Sequence, residues 1–359
     1  MALTTFGINY DTGFINAGTS THEPFDPEVV RRDMLVIRND LHCTAVRITG
    51  GDPDRLEIAA AHAAGAGLEV WFCPFTNGLN QDQLLDLLAD CADRAERLRQ
   101  RGADVVLLTG SEVSVFTPGF FPGATLEERF ALLTDITRLR SHIGDVRAGI
   151  KNFLQKAVAI VRACFGGRIS YASLPFEGVD WSLFDIVATD AAYRTAAMAS
   201  TFRENVRAFV EQARAQRRAV AVTEFGCGTY LGAGDMASRH GIGTIVWSAD
   251  GRPVRPNGDF VRDEQEQLNY IRESLEVFDG EGVEAAFVYT FARYDMPYRA
   301  DPTLDLDMLS AGIVKVLDDQ SGTGDMPVRR YPDMRWEPKA AFDALADYYR
   351  LARGEGALR

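Results

Sequence analysis

Long apolar runs are missing from this sequence: no stretch approaches the ~18 uninterrupted apolar residues of a membrane span. The first residues, Met1-Ala-Leu-Thr-Thr-Phe, have neither a basic region nor an apolar one of useful length. A cytoplasmic chain without a membrane partner is therefore expected. The five cysteines, Cys43, Cys73, Cys91, Cys164 and Cys227, are odd in number and lack Cys-x-x-Cys spacing, so free thiols are expected rather than disulfides or a zinc site. Five histidines, His22, His42, His62, His142 and His240, form neither an HxH pair nor HExxH, which argues against a metallohydrolase. GxSxG and Walker sequences are absent, and the region of Gly7 and Gly13 does not match GxGxxG, so neither a metal nor a cofactor is implied. Basic residues are the minority, 38 against 51 acidic, and the net charge of −13 repels a phosphate backbone or an anionic lipid surface. Nucleic acid is excluded as a partner on that ground, and oligomeric state is left open.

What is present is a large apolar core interrupted at regular intervals. The 359 residues are 46% apolar and 25% charged, the mix of a globular protein. Short apolar runs at 5–10, 43–49, 68–75, 104–110, 168–174, 184–190, 219–226 and 284–291 read as strands. Helical patterns follow many of them, among them one opened by Asp26-Pro27, one over 81–101, one over 125–165 broken near Gly144, one over 201–217 and a last one over 340–352. Strands apolar on both faces and alternating with helices predict a parallel α/β fold, a single (β/α)8 TIM barrel domain over 1–359. The segment 231–263 reads as an insertion after strand seven, a β-hairpin of 243–247 and 260–261 around the turn residues Asp250-Gly251 and Asn257-Gly258. A polar loop spans 318–325.

In a barrel the chemistry collects where strands end, and carboxylates dominate there. Asn9, Asp11, Arg47, Glu112, Asp190, Tyr193, Glu224 and Asp295 all stand at such ends, with Ser111 beside Glu112 and with Tyr230, Phe291 and Tyr294 as flat faces for a ligand. Glu112 ends strand four and Glu224 ends strand seven, on roughly opposite sides of an eight-stranded rim. Two carboxyls meeting ~5 Å apart are suited to splitting a glycosidic bond with retention.

Thr-Gly-Ser-Glu112 and Val-Thr-Glu224-Phe-Gly, so placed, resemble the clan A retaining glycoside hydrolases over most of the chain. The resemblance implies that Glu112 is the general acid/base and Glu224 the nucleophile, with Arg47 near the nucleophile and Tyr193 hydrogen-bonded to it. Trp-Glu-Pro-Lys339-Ala-Ala-Phe resembles the segment that starts the last helix of such barrels. Two positions depart from the pattern. The clan's asparagine before the acid/base, which bonds the sugar 2-hydroxyl, is Ser111, and strand eight reads Tyr289-Thr-Phe291 where a tryptophan often forms the floor of the sugar site. A small glycoside is the expected ligand. A non-hydrolytic cyclase, isomerase or lyase acting on a specialised metabolite, and an inactive carbohydrate-binding barrel, stay open as alternatives.

Overall fold

The computed structural model describes residues 2–239, 243–318 and 329–354; His240 and the 319–325 part of the polar loop lie outside them. Eight strands form one sheet: β1 (Thr5–Asp11), β2 (Ala45–Gly50), β3 (Glu69–Pro74), β4 (Val105–Ser111), β5 (Arg168–Ala172), β6 (Ile186–Thr189), β7 (Ala219–Phe225) and β8 (Ala285–Val288). Their order is β5-β4-β3-β2-β1-β8-β7-β6, with neighbours parallel throughout. The seam between β5 and β6 is joined by a parallel bridge from Ser173 to Thr189 and by the Asp190 amide, which donates to the Ser173 carbonyl at 3.0 Å. The result is a nearly closed (β/α)8 barrel.

Both faces of the strands are buried, which is why they read as continuous apolar runs. Inside the barrel, five small residues (Ala45, Ala172, Ala188, Ala221 and Ala285) make room for Trp71 and Phe287, whose rings lie 4.7 Å apart. The outer faces pack against helices α1 (Pro27–Asn39), α2 (Pro53–Gly65), α3 (Gln81–Gln100), α4 (Ile136–Cys164), α5 (Phe202–Ala215), α6 (Glu264–Glu281) and α7 (Ala340–Ala352). Asp26 and Asp52 cap α1 and α2 through their side chains, each with a proline next in sequence, as Asp-Pro predicts. Lys339 stands at the start of α7.

Three details differ from the sequence reading. The long helical region breaks at Asp135 rather than near Gly144, because Asp135 accepts from the Thr137 and Arg138 amides and starts a new helix. Between β5 and β6 the chain makes two single turns of 3₁₀ helix, Pro175–Glu177 and Trp181–Leu183, in place of an α-helix. In the insertion, Ile245–Trp247 pairs antiparallel with Pro253–Pro256, not with 260–261. Prolines are tolerated there because a two-stranded ribbon is all edge. The five cysteines are free, four of them buried and Cys164 half-buried.

One buried carboxylate ties α1 to the end of the chain. Asp33 accepts from the Tyr10 and Tyr294 hydroxyls at 2.8 Å each and from the Trp336 indole at 2.9 Å. Burial lifts its carboxyl to about 6. Asp33→Ala orphans three donors and is expected to cost about 3 kcal/mol, read in urea unfolding, at ~1 kcal/mol for each donor left unpaired. Since the folded state holds the Asp33 proton more tightly than the unfolded one, the wild type gains most below its ordinary pKa. The gap between wild type and variant should therefore narrow as pH rises toward about 6.

Candidate functional site

Glu224 sits within an irregularity of its strand and Glu112 just beyond one. In β7, Val222 pairs with Ala286 but Phe225 with Val288, so Thr223 and Glu224 stand opposite the single residue Phe287. In β4, Leu108 pairs with Ser170 but Ser111 with Ala172, so Thr109 and Gly110 stand opposite Tyr171. A bulge of this kind bends a strand and re-aims the side chains after it. Gly110, at φ +122, serves the β4 bulge: a Cβ there would lie 2.7 Å from Val113 Cγ2. Gly226 serves β7, where a Cβ would approach the Tyr289 carbonyl oxygen to 2.2 Å. These are the glycines of the two motifs read from the sequence.

Beneath Glu224 lies a buried polar layer inside the barrel. Arg47 is fully buried and holds Asp190 with two hydrogen bonds of 2.9 and 3.1 Å. It also donates to Asn9 Oδ1 at 3.2 Å, to the Thr223 carbonyl at 3.0 Å and to Ser111 Oγ at 3.0 Å, and it reaches Glu224 Oε2 at 3.5 Å. Ser111 donates to Asp190 at 2.6 Å. The Asn9 amide donates to the carbonyls of Thr223, Phe287 and Val288, the first of which the bulge frees from the ladder. Burial works against the Arg47 charge, but Asp190, Cys73 and Glu224 together outweigh it and the guanidinium is held firmly cationic.

The two glutamates differ in what faces them. Glu224 is buried, and its Oε1 accepts from the Tyr193 hydroxyl at 2.6 Å. Its carboxyl is pushed up by burial and then by Asp190, and pulled back by Arg47 and Tyr193. Glu112 directly follows β4 in the left-handed region, at φ 47 and ψ 37, with no side-chain cap. Burial first, then Asp190, Glu224 and Glu177, push its carboxyl up, against only Arg47. The group with a donor and a cation beside it ionises first, and Glu112 keeps its proton longest. That ordering suits one carboxylate for attack and one carboxylic acid for proton donation.

A strap of chain joins loops of this rim. The ribbon of Ile245–Trp247 and Pro253–Pro256 leaves the β7 side, and at its turn the Asp250 carbonyl accepts from Thr19 in the β1 loop at 3.3 Å. That loop leans to the far side of the barrel: Asn16 accepts from Asn77 at 2.7 Å, the Asn77 amide donates to the Ile15 carbonyl at 3.0 Å, and the Phe14 ring lies 4.8 Å from Phe75. Residues 75–77 follow β3, which stands opposite β7 in the barrel. The strap thus links the loops after β7, β1 and β3 along one side of the rim. Beside it lies a recess of about 510 Å³, open space included, bounded by Tyr230, Ile245, Trp247, Tyr289, Arg293 and Met296 among others. Neither glutamate lines this recess; Tyr289, which also feels the Glu224 charge, connects the two.

The structure therefore gathers Asn9, Arg47, Ser111, Asp190, Tyr193 and Glu224 into one network, with Glu112 coupled to it electrostatically. Tyr230 stands in the recess wall, edge-on to Phe260. Asp295 is half of an ion pair with Arg293, which lines that recess. Two expected ligand faces are corrected. Phe291 is fully buried between Tyr10 and Trp336 and offers no face to a ligand, and Tyr294 is half-buried, one ring face stacked on His22 and its hydroxyl on Asp33. Asn9 meets carbonyls and Arg47, so it braces strands. Asp11 accepts from the Gly13 amide and from Thr21 and orders its own loop. Tyr289 and Arg293 were missed, although Tyr289 ends the strand where the clan often has its tryptophan. Among the described residues no group of three or more His, Cys, Asp and Glu is arranged to hold a metal ion.

No protein-family model and no curated protein sequence matches the chain. Solved structures do. The GH113 β-mannanase AaManA from Alicyclobacillus acidocaldarius, in complex with ManMIm, aligns with a TM-score of 0.57 at 14% identity over 97% of this chain and 98% of its own. A GH113 β-1,4-mannanase aligns with a TM-score of 0.58 at 13% identity, over 96% and 98%. The β-glucuronidase of Parabacteroides merdae aligns with a TM-score of 0.54 at 14% identity, over 97% of this chain and 36% of its own. At these identities the likeness is one of fold, the (β/α)8 barrel.

Proposed function

We propose that this protein is a retaining glycosidase acting on a small glycoside. The observation that carries the reading is the unequal pair: Glu224 on its bulged strand with Tyr193 and Arg47 against it, and Glu112 beyond the other bulge with no donor against its carboxyl among the described residues. Glu224 attacks the anomeric carbon while Glu112 protonates the departing oxygen. Glu112 then takes a proton from the water that releases the sugar. That no described helix is long and apolar enough to cross a membrane fits a ligand met in water. A panel of aryl glycosides, with the first-formed sugar anomer followed by proton NMR, tests this. Release of a sugar with its starting configuration is the expected result; the opposite anomer would sink the covalent route.

One observation favours a second reading. Ser111 is committed to Asp190 and Arg47, so it has no hydroxyl proton left for a sugar 2-hydroxyl. An acid pair without that contact suits cyclisation, isomerisation or elimination on a specialised metabolite. Silence across the glycoside panel together with binding of apolar ligands would favour it. Binding of sugars without turnover would instead mark an inactive carbohydrate-binding barrel.

A further inference from the structure

The short connection after β5 holds a carboxylate that the proposed reaction does not use. Glu177, in the Pro175–Glu177 turn, is fully buried, and no ion pair reaches it among the described residues. Its Oε2 accepts from the Leu174 amide at 2.8 Å, and its Oε1 accepts from the Tyr171 hydroxyl at 2.8 Å and the Ser114 amide at 3.2 Å. The Tyr171 hydroxyl accepts in turn from the Val113 amide at 2.9 Å. Val113 and Ser114 are the two residues that follow Glu112. They open the single turn of helix Val113–Phe116, whose N-cap position is occupied by Glu112 in a left-handed conformation without a side-chain cap bond.

A burial without a cation needs a reason, because a lone carboxylate loses its hydration. Here the compensation consists of three donors, and two of them lead to the backbone that orients Glu112. We propose that Glu177 is a positioning residue for Glu112: through the Val113 and Ser114 amides it fixes the turn that aims Glu112, and it places a negative charge behind it. The inference rests on the proposed role of Glu112 as proton donor.

The charges around Glu112 give the sign. Asp190 and Glu224 face it from the rim and Glu177 from the β5 connection, all three holding its proton on, while Arg47 from inside the barrel opposes them. Glu177 itself titrates at about 6, burial raising it and its donors restraining it. Above that pH it is ionised, in the range where Glu112 must stay protonated. Removing its charge makes Glu112 lose its proton at lower pH.

Glu177→Gln tests this, read by the ¹³C carboxyl signal of Glu112, identified as the one missing in Glu112→Gln, and by the basic limb of kcat/KM. Both should move down by about one pH unit, the usual effect of a nearby like charge. An unshifted Glu112 in a folded Glu177→Gln protein would overturn the proposal. Should that variant not fold, Tyr171→Phe removes the link to the Val113 amide and keeps the charge. A roughly tenfold fall in kcat with an unshifted Glu112 is then expected, since small misplacements are costly in rate; an unchanged kcat would overturn the positioning role. The carboxyl titration needs no substrate. A shifted Glu112 in a protein that turns over no glycoside supports the electrostatic role and overturns only the hydrolytic reading.

Discussion

Glu224→Ala should lower turnover of the best aryl glycoside on the order of 10⁴-fold or more, the scale on which single members of a catalytic unit count. Azide separates its role from that of Glu112. Without Glu224 the cavity admits azide, which attacks once from the nucleophile's side and gives a glycosyl azide of inverted configuration. Without Glu112 the covalent intermediate still forms from a substrate whose leaving group needs no proton, and azide then opens it with net retention. Glu112→Ala should therefore cost roughly 10²- to 10⁴-fold on poor leaving groups and little in the first step on good ones. The same assignment fixes the pH profile. Activity rises as Glu224 loses its proton and falls as Glu112 loses its own, and since burial lifts both, each limb lies above the ordinary glutamate value. Neither alanine should lower the unfolding temperature much, for each removes one of several carboxylates crowded around a single arginine. Full activity in either variant would end the assignment.

The second large effect is on stability. Arg47→Met is expected to destabilise the barrel by about 3–5 kcal/mol, the cost of breaking a buried ion pair from one side. The deletion leaves Asp190 without its cation and takes a donor from Asn9, from the Thr223 carbonyl and from Ser111. Arg47→Lys keeps the charge but cannot form the two-point contact with Asp190, and should fall between. Urea unfolding at neutral pH measures all of this. Equal stability of Arg47→Met and wild type at neutral pH would mean that the buried layer does not hold the strands.

The strand pattern was legible because parallel strands buried on both faces leave continuous apolar runs, and two helix starts were legible because Asp-Pro fixes both cap and first turn. The glutamate motifs were legible because their glycines are needed by the bulges. Phe291 and Tyr294 were misread because β8 ends at Val288; past that residue, alternation no longer says which way a side chain points. The partner strand of the ribbon was misread because Pro253 and Pro256 look like breakers, a rule that does not bind an edge. Glu177 gave no signal at all. In Leu-Pro-Phe-Glu-Gly it reads as a solvated turn, and only the fold turns it inward.

Asn9 and Arg47 have a further consequence. Between them they hold the carbonyls around Glu224 from inside the barrel, while the loops of the strap and of the β1 and β3 ends meet one another above. The loops of the strap and of the β1 and β3 ends can therefore accumulate substitutions, change length or accept a grafted segment without disturbing the bonds that hold the strand end carrying Glu224.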